Sequence, residues 1–241
     1  MKFYYSEKLS SFTNLLHAFT TKECGNLAFH VGDDKLSVQK QHELLSKELG
    51  YERESLVYMN QIHSDIVHLV TNENFTTPPT CDALVTNKID TPLMVMVADC
   101  SPILFYDNQK RVIAAAHAGR QGAFKNIVKN VIDKMQREFD SNPKDIQVSV
   151  GASIRACCYE VGSEIYDEAK ALGLAYSIEK KEESFYLNVG AILKKQLLLC
   201  GIKAEHIEFC DDCTCCSTNR YFSYRAQAQT GRFAGVIMLR G

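Results

Sequence analysis

Tryptophan is absent from this sequence of 241 residues, proline occurs only five times, and there is no long hydrophobic run. The longest apolar stretches, such as residues 93–98, have the length of a strand, whereas a membrane-spanning helix needs about 18 consecutive apolar residues. The segment from Met1 to Lys8 lacks the apolar core that a signal peptide carries. We therefore expect a cytoplasmic protein without a membrane segment.

An excess of charge of either sign is also missing. The chain has 27 basic and 29 acidic residues, a net charge of −2 and a pI of about 6.4. Proteins that bind nucleic acids or membrane surfaces carry a basic excess or a basic stripe. We therefore expect no nucleic-acid or membrane partner, while the composition leaves the oligomeric state open.

Repeats, low-complexity tracts and long linkers are absent as well. Hydrophobic residues make up 46% of the chain, an ordinary value for a globular protein, and the length is sufficient for one large core. The most loop-like stretch, residues 71–80, and the break at residues 140–143 do not have the features of a domain boundary. We predict a single domain over residues 1–241.

Cysteine, by contrast, occurs ten times. Disulfide frameworks belong to short secreted chains, so we expect reduced thiols, most of them buried as small apolar side chains. Four thiols crowd into Cys210-Asp211-Asp212-Cys213-Thr214-Cys215-Cys216, which resembles a metal knuckle, but a tetrahedral site usually needs a second pair at a distance. We favour free thiols in this segment, and we interpret Cys157 and Cys158 as packing or site-lining residues rather than ligands.

Hydrophobic periodicity predicts the main elements. Strands are expected at residues 56–59, 65–70, 82–86, 93–98, 102–106, 112–116, 146–150 and 234–239. Helices are expected at residues 38–49, with Ser37 as N-cap, and at residues 124–139, 164–172 and 189–199. Because strands and helices alternate irregularly rather than as a βαβ repeat, the pattern favours an α+β fold.

A hairpin is predicted at Asp107-Asn108-Gln109-Lys110, which separates two apolar runs. With a two-residue loop at Asn108 and Gln109, the register places Cys100 directly opposite His117, with Cβ atoms roughly 5 Å apart. A thiol and an imidazole would then meet at the open end of the hairpin. Each residue alone is typical of a core position, but the pair, with Asp99 and glycines beside it, indicates a site.

The turn after His117 contains Gly119 and Gly122 and leads into the predicted helix at residues 124–139. Free N–H groups at the positive end of a helix can bind a phosphate or another anion, and Arg120 and Lys125 add positive charge. These residues also permit a metal-free cysteine hydrolase or amidase. Its nucleophile would be Cys100 and its base His117, with Asp99 or Asn60 as the orienting group.

Six short motifs follow one another along nearly the whole chain. They are Asn60-Gln61-Ile62-His63-Ser64-Asp65, Cys81-Asp82-Ala83-Leu84-Val85-Thr86, Ala98-Asp99-Cys100-Ser101-Pro102, Ala116-His117-Ala118-Gly119, Cys157-Cys158-Tyr159-Glu160-Val161, and Phe222-Ser223-Tyr224-Arg225 with Thr230-Gly231-Arg232. Their order and combination resemble the signatures of the laccase-domain family. This family is also called polyphenol-oxidase-like, YfiH-type or purine nucleoside phosphorylase-like.

The resemblance implies an α+β fold of layered mixed β-sheets flanked by helices, in an α/β/β/α-like order. It also implies a zinc site with His63, Cys100 and His117 as ligands. The associated activities are phosphorolysis of adenosine, inosine, guanosine and methylthioadenosine to base and pentose 1-phosphate, and deamination of adenosine to inosine. Copper-dependent phenol oxidation and the editing of peptidoglycan precursors are further activities ascribed to members.

On this interpretation the catalytic residues are Cys100, His63 and His117, with a carboxylate as proton shuttle. Asp99 is the nearest candidate in the sequence, followed by Asp82. Two imidazoles and one thiolate leave a fourth zinc position open, as in catalytic sites, and zinc brings the pKa of bound water to about 7. Substrate or phosphate contacts are expected from Lys22, Asn60, Gly119, Arg120 and Gly122.

Two positions depart from the family pattern. The usual His-Ala-Gly-Trp-Arg-Gly reads His117-Ala118-Gly119-Arg120-Gln121-Gly122, which shifts the arginine by one place. The N-terminal Ser/Thr-Thr-Arg reads Thr20-Thr21-Lys22, and lysine cannot form the bidentate fork of arginine. Copper remains a possible metal because a His₂Cys donor set binds it. Multi-electron oxygen reduction requires several copper ions, however, and the seven histidines include no His-X-His pair.

Overall fold

The computed structural model describes residues 2–71 and 77–241, so residues 72–76 of the predicted loop at 71–80 lie outside the described residues. The strands are β1 (Phe3–Tyr4), β2 (Leu15–Thr20), β3 (Val57–Tyr58), β4 (Val67–Leu69), β5 (Ala83–Thr86), β6 (Leu93–Val97), β7 (Ser101–Asp107), β8 (Val112–Ala118), β9 (Ile146–Val150), β10 (Glu160–Val161), β11 (Ile178–Lys181), β12 (Ser184–Leu187), β13 (Ile207–Phe209) and β14 (Phe233–Leu239). The α-helices are α1 (Glu7–Ser10), α2 (Lys35–Leu49), α3 (Arg120–Phe124), α4 (Ile127–Phe139), α5 (Ser163–Ala171), α6 (Val189–Leu199) and α7 (Tyr224–Gln227). Within the described ranges, no helix combines the length and the apolar character that crossing a membrane requires.

Two large sheets pack face to face. The first has the strand order β1-β2-β14-β6-β3 and the second has the order β13-β9-β7-β8-β5-β4, while β10, β12 and β11 form a small separate sheet. Both large sheets are mixed, with parallel pairs at β3–β6, β4–β5 and β9–β13. Their facing sides share one core, to which the first sheet contributes Val95 and Ile237 and the second contributes Leu104 and Ile113.

Helices cover the outer face of each sheet. Leu45 of α2 packs with Met94 and Val236 on the first sheet. On the second sheet, Val131 of α4 and Ile192 of α6 belong to one buried cluster with the outward side chains of β7 and β8. The layers therefore run helix, sheet, sheet, helix, which confirms the predicted α+β fold. That residues 1–241 form one domain stays a prediction.

The alternation of side chains along β8 directs His117 toward the space between the sheets. Ala114 and Ala116 belong to the helix-side cluster, whereas Ile113 and Ala115 belong to the inter-sheet cluster. Since side chains alternate with a period of two along a strand, His117 takes the last inward position before the strand ends. The apolar interior therefore ends at this histidine.

The predicted two-residue hairpin loop is wrong. Asp107 pairs with Val112, so the loop has four residues, and Arg111 closes it in a left-handed conformation with φ 52°. The register is thereby displaced by two residues, and Gly119 rather than His117 lies opposite Cys100. Because a displacement of two preserves the face of every side chain, the thiol and the imidazole still point to the same side.

The predicted helix at residues 124–139 begins too early. Asn126 adopts a left-handed conformation with φ 63°, and its side chain accepts a hydrogen bond from the Lys129 N–H. This cap separates the five-residue α3 from α4. The positive end of the long helix is therefore capped by Asn126 and does not lie at the glycine turn.

The other helices follow the sequence more closely. The helix at 189–199 is confirmed, and α5 begins one residue before the predicted 164–172. α2 begins at Lys35 with Asp34 as its cap, because the Asp34 carboxylate accepts the Ser37 N–H at 2.9 Å. The prediction of Ser37 as N-cap is therefore wrong.

Candidate metal centre

The ends of four neighbouring strands bring the predicted site residues to one edge of the second sheet. β4 and β5 are parallel and both begin at this edge, so the loop at residues 60–66 lies beside Asp82, which precedes β5. β8 runs antiparallel to β5 and ends here, just after His117. β7 begins here, directly after Cys100. The strand pairing therefore collects His63, Cys100 and His117 at the open end of the space between the two sheets.

Asp82 is the organising residue of this edge. Its buried carboxylate accepts the N–H groups of Ile62, His63 and Ser64 at 3.2, 3.1 and 2.6 Å. These bonds wrap the loop around the carboxylate and hold His63 at φ 58°, a conformation that a residue other than glycine adopts when its surroundings impose it. Burial disfavours the charge of Asp82, but hydrogen bonds from His117 and Ser64 outweigh this effect and lower its pKa to about 2.

His117 is buried and is held by the same carboxylate. Its Nδ1 lies 2.8 Å from Oδ1 of Asp82, so the carboxylate holds a proton on Nδ1 and leaves Nε2 as the atom that can bind a metal. Burial disfavours a charged ring, but the neighbouring Cys100 thiolate and the Asp82 carboxylate raise the pKa of His117 above its ordinary value. The contact with Asp82 therefore fixes the orientation of the ring.

Cys100 is half-buried beside the two histidines. Its Sγ lies 3.9 Å from Nε2 of His63. Burial disfavours the thiolate, but the rings of His117 and His63 outweigh this effect and lower the pKa of Cys100 to about 6. The sulfur at neutral pH is therefore a thiolate, the form that binds metals and acts as a nucleophile.

The donor atoms of these three residues fit a single metal ion. The nitrogen and sulfur atoms of His63, Cys100 and His117 lie within 4.8 Å of one another. Zinc–sulfur bonds of about 2.3 Å and zinc–nitrogen bonds of about 2.0 Å would separate sulfur and nitrogen by about 3.5 Å in a tetrahedron. Three protein ligands leave the fourth position open, as in catalytic rather than structural zinc sites, and the same donors also suit copper.

Gly119 keeps the space that the ligands require. A Cβ atom at this position would lie 2.8 Å from Sγ of Cys100 and 3.2 Å from Cδ2 of His63. Both separations are shorter than ordinary van der Waals contact, so any larger residue would displace a ligand. Gly119 therefore has a steric role, and its predicted contact with substrate or phosphate stays a prediction.

Two cavities lie beside the candidate ligands, and His117 lines only the smaller of them. Their volumes are about 380 and 140 Å³, and both are lined by His63, Cys100 and Arg232. The larger one lies within the usual range for small-molecule sites, about 300–1,000 Å³. The ligands therefore face a space in which a substrate can be held.

The larger cavity is lined by both apolar and positively charged side chains. Ile154, Tyr159 and Val189 are apolar, and Arg225 and Arg232 supply positive charge. Both arginines belong to the motifs that carry the family resemblance, but the sequence alone assigns them no role. Their spacing from Cys100 along the chain exceeds 120 residues, so only the tertiary fold reveals that they share a cavity with it.

Asp99, the predicted proton shuttle, lines the larger cavity but already holds two partners. Its Oδ1 accepts the Thr214 hydroxyl at 2.5 Å, and its Oδ2 accepts the Arg225 backbone N–H at 2.8 Å. These bonds fasten the start of α7 to the strand end that carries Cys100. Asp99 is thus placed to position Arg225, and its role as a shuttle stays a prediction.

Of the other residues predicted to contact substrate or phosphate, some lie near the ligands and others lie away from the two cavities. Asn60 lines the smaller cavity, and Gly122 packs close to the backbone of Ser64. Arg120 instead pairs with Glu168 at 2.6 Å, outside both cavities. Lys22 donates to the Thr218 carbonyl at 3.3 Å. Among the described residues, neither Lys22 nor Arg120 lines the cavities at the ligands.

Comparison with known proteins identifies the family. The fold and the site define a layered α+β protein with a His–Cys–His centre beside a cavity of ligand size. Residues 18–240 match the family model described as multi-copper polyphenol oxidoreductase laccase, and this chain belongs to that family. The resemblance found in the sequence motifs is thereby confirmed.

Individual relatives agree with this assignment. The chain is 35% identical over 216 residues to a purine nucleoside phosphorylase of Corynebacterium glutamicum, covering 89% of this chain and 86% of the relative. It is 28% identical to the purine nucleoside phosphorylase YlmD of Bacillus subtilis, with 94% and 89% of the two chains covered. The crystal structure of the Bacillus licheniformis hypothetical protein YfiH superposes with a TM-score of 0.89 at 28% identity, covering 94% and 93%.

Proposed function

We propose that this chain is a zinc-dependent purine nucleoside phosphorylase. It converts adenosine, inosine, guanosine and methylthioadenosine to base and pentose 1-phosphate, and the same site deaminates adenosine to inosine. The observation that carries the proposal is the convergence of His63, Cys100 and His117 beside a cavity that is lined by two of them, His63 and Cys100, and by two arginines. The name of the Corynebacterium glutamicum relative supplies the substrate class.

His63, Cys100 and His117 would hold the zinc ion. When bound, zinc supplies Lewis-acid chemistry, which polarises a bound group and lowers the pKa of water. The protein contributes the orientation of the donors, since Asp82 fixes the His117 ring and the backbone of His63. It also contributes a preformed open side, because Gly119 leaves the ligands uncovered.

The larger cavity fits a purine nucleoside and phosphate. Ile154, Tyr159 and Val189 provide apolar surface for the base and the sugar. Arg225 and Arg232 provide positive charge for the phosphate, a role that guanidinium groups fill by bidentate hydrogen bonding. Their position beside the ligands would bring the phosphate next to the nucleoside, which is the positioning that a two-substrate reaction requires.

A cysteine hydrolase is the second candidate, because Cys100, His117 and Asp82 form a chain of contacts. The Asp82 carboxylate orients the imidazole, and the imidazole lowers the pKa of the thiol. In this reading Asp82 is the orienting group, in place of Asp99 or Asn60. An alkylating reagent would then trap Cys100 in metal-free protein, and an amide-hydrolysing activity would be lost.

Product analysis separates these activities. Purified protein is incubated with adenosine, with and without phosphate, and the products are separated by liquid chromatography. The proposal predicts adenine that appears only with phosphate, and inosine that appears in both incubations. Cys100→Ser should abolish both products, whereas Cys200→Ser, which removes a thiol from the end of α6, should retain them.

Failure of the proposal has a clear signature. Adenosine that remains unchanged with zinc-loaded protein, with and without phosphate, would contradict it. Phenol oxidation that depends on copper, without nucleoside turnover, would favour the oxidase activity instead. Formation of adenine in the absence of phosphate would indicate nucleoside hydrolysis rather than phosphorolysis.

A further inference from the structure

A second group of sulfur donors lies outside the His–Cys–His centre. One turn at residues 156–158 presents Cys157 and Cys158, and another at residues 214–216 presents Cys216 next to Cys213. All four sulfur atoms lie within 4.8 Å of one another. Cys213 and Cys216 have the C-x₂-C spacing of a zinc knuckle, and the adjacent pair Cys157-Cys158 completes the set.

The separations match those of a single tetrahedral ion. With zinc–sulfur bonds of about 2.3 Å, neighbouring sulfurs in a tetrahedron lie about 3.8 Å apart. The observed distances from Cys216 are 3.6 Å to Cys157 and 3.3 Å to Cys158. The same sulfurs are too far apart to be bonded as a disulfide, which requires about 2.05 Å.

The surroundings of Cys213 resemble a knuckle. The backbone N–H groups of Cys216, Arg155 and Cys215 point at its sulfur. Backbone donors that face a sulfur in this way stabilise a thiolate ligand.

We propose that Cys157, Cys158, Cys213 and Cys216 bind one structural zinc ion as a tetrathiolate site. Four thiolates and no open position are typical of structural zinc, and soft sulfur ligands in a tetrahedron favour zinc over magnesium or calcium. The site differs from our interpretation of the sequence, which took Cys157 and Cys158 as packing or site-lining residues rather than ligands. The second pair that the C-x₂-C motif needs is supplied 55 residues earlier in the chain, beyond the reach of local pattern analysis.

The ion would tie together two segments that shape the larger cavity. The first segment continues into Tyr159, and the second leads to Arg225. The protein already joins them by bonds from Thr214 N–H to the Ser153 carbonyl, and from Arg225 to the carbonyls of Cys158 and Glu160. The zinc would therefore stiffen the outer wall of the cavity, without taking part in the chemistry.

Metal analysis of the full chain tests this site independently of nucleoside turnover. Cys100→Ser removes a ligand of the His–Cys–His centre, so the zinc that remains in this variant reports on the tetrathiolate site. Inductively coupled plasma mass spectrometry should find about one zinc per chain, and X-ray absorption should find four sulfurs at about 2.3 Å. Adding Cys216→Ser should remove this zinc, whereas adding Cys215→Ser should retain it.

Several results would overturn the proposal. One is an absence of tightly bound zinc in Cys100→Ser protein that is folded by circular dichroism. Another is equal loss of zinc in the Cys215→Ser and Cys216→Ser variants. If the double variants do not fold, native mass spectrometry of the wild-type chain decides the question. Two zinc ions per chain would support the proposal, and a disulfide among the four cysteines in the isolated protein would refute it.

Discussion

The Nδ1 atom of His117 lies 2.8 Å from Oδ1 of Asp82, with both side chains buried at the end of the inter-sheet core. The same carboxylate accepts the N–H of His63 at 3.1 Å. One aspartate therefore orients the ring of one candidate ligand and the backbone of another. Such carboxylates, which hold the ligands rather than the metal, set how well a metal site is preorganised.

Asp82→Asn is expected to weaken zinc binding by about 10–100-fold, because an amide cannot accept the His117 and loop N–H bonds simultaneously in the same geometry. Zinc affinity by competition with a chelator is the measurement. The matched control is Asp107→Asn, since Asp107 is also a buried aspartate that accepts two backbone N–H groups, but in the distant hairpin. Equal zinc affinity in wild type and Asp82→Asn would show that Asp82 does not support the centre.

Gly119→Ala is expected to reduce phosphorolysis by about 100-fold, because the added methyl group would push Cys100 or His63 out of position. Steady-state rates and zinc content are measured together. Gly190→Ala in α6 is the control, since a Cβ there makes ordinary contacts at 3.4 Å or more and alanine favours a helix. A fully active Gly119→Ala protein would argue against the steric role.

Arg232→Gln is expected to raise the KM for phosphate by at least about tenfold, with a smaller change in the KM for nucleoside, because it removes one positive charge from both cavities. Arg137→Gln, a surface change on α4, serves as the control. The sequence predicted that Arg120 contacts phosphate, whereas the cavity indicates Arg232. A raised KM for phosphate in Arg120→Gln but not in Arg232→Gln would favour Arg120 and contradict the role of Arg232.

The stability of the protein should fall between pH 6.5 and pH 4 because of His17. Burial lowers the pKa of this ring to about 4, and its Nε2 accepts the Ser6 N–H at 3.0 Å. Below pH 6.5 the unfolded chain gains a proton that the folded chain does not, so this group lowers the free energy of unfolding by up to about 3 kcal/mol. Above pH 6.5 the ring is neutral in the folded and the unfolded chain, so it does not make the free energy of unfolding depend on pH.

Urea unfolding of wild type and His17→Gln across this range measures the effect. The variant should show the smaller decrease in stability, while the two proteins should show parallel behaviour above pH 7. His42, whose pKa is also lowered by burial, is present in both proteins and cancels in the comparison. If the free energy of unfolding decreased equally in both proteins below pH 6.5, His17 would not be the source of the pH dependence.

The parts of the fold predicted best are the apolar strands around the site. The runs that became β7 and β8 were recognisable because they lie on either side of a polar turn. The position of Arg111 at positive φ lengthened the loop, which residue types alone do not reveal. The predicted register of the β7–β8 pair was wrong by two residues, but an error of two leaves each side chain on the same face of the sheet. The prediction that the Cys100 thiol and the His117 imidazole lie close together was therefore correct.

Other elements could not be read from local patterns. β2 is buried along its whole length, and its sequence Leu15–Thr20 has no alternation that distinguishes a strand from a helix segment. The break at Asn126 interrupts a hydrophobic stripe that is continuous in sequence. In both cases tertiary packing, rather than the local sequence pattern, determines which secondary structure forms.

The site itself depends on distant pairing. His63 reaches Cys100 because β4 and β5 are parallel and because Asp82 holds the intervening loop. Neither fact follows from the sequence between the two ligands, which lie 37 positions apart. Before the structure, only the family resemblance joined His63 to the pair formed by Cys100 and His117.

The dependence of phosphorolysis on zinc tests the central claim most directly. Metal-stripped wild-type and Cys100→Ser proteins are titrated with zinc, and the release of purine base from nucleoside is measured at saturating phosphate. The account predicts that the wild-type rate rises with bound zinc to that of untreated enzyme, and that the variant stays inactive at every zinc concentration. Full phosphorolysis by the metal-stripped wild-type protein would contradict it.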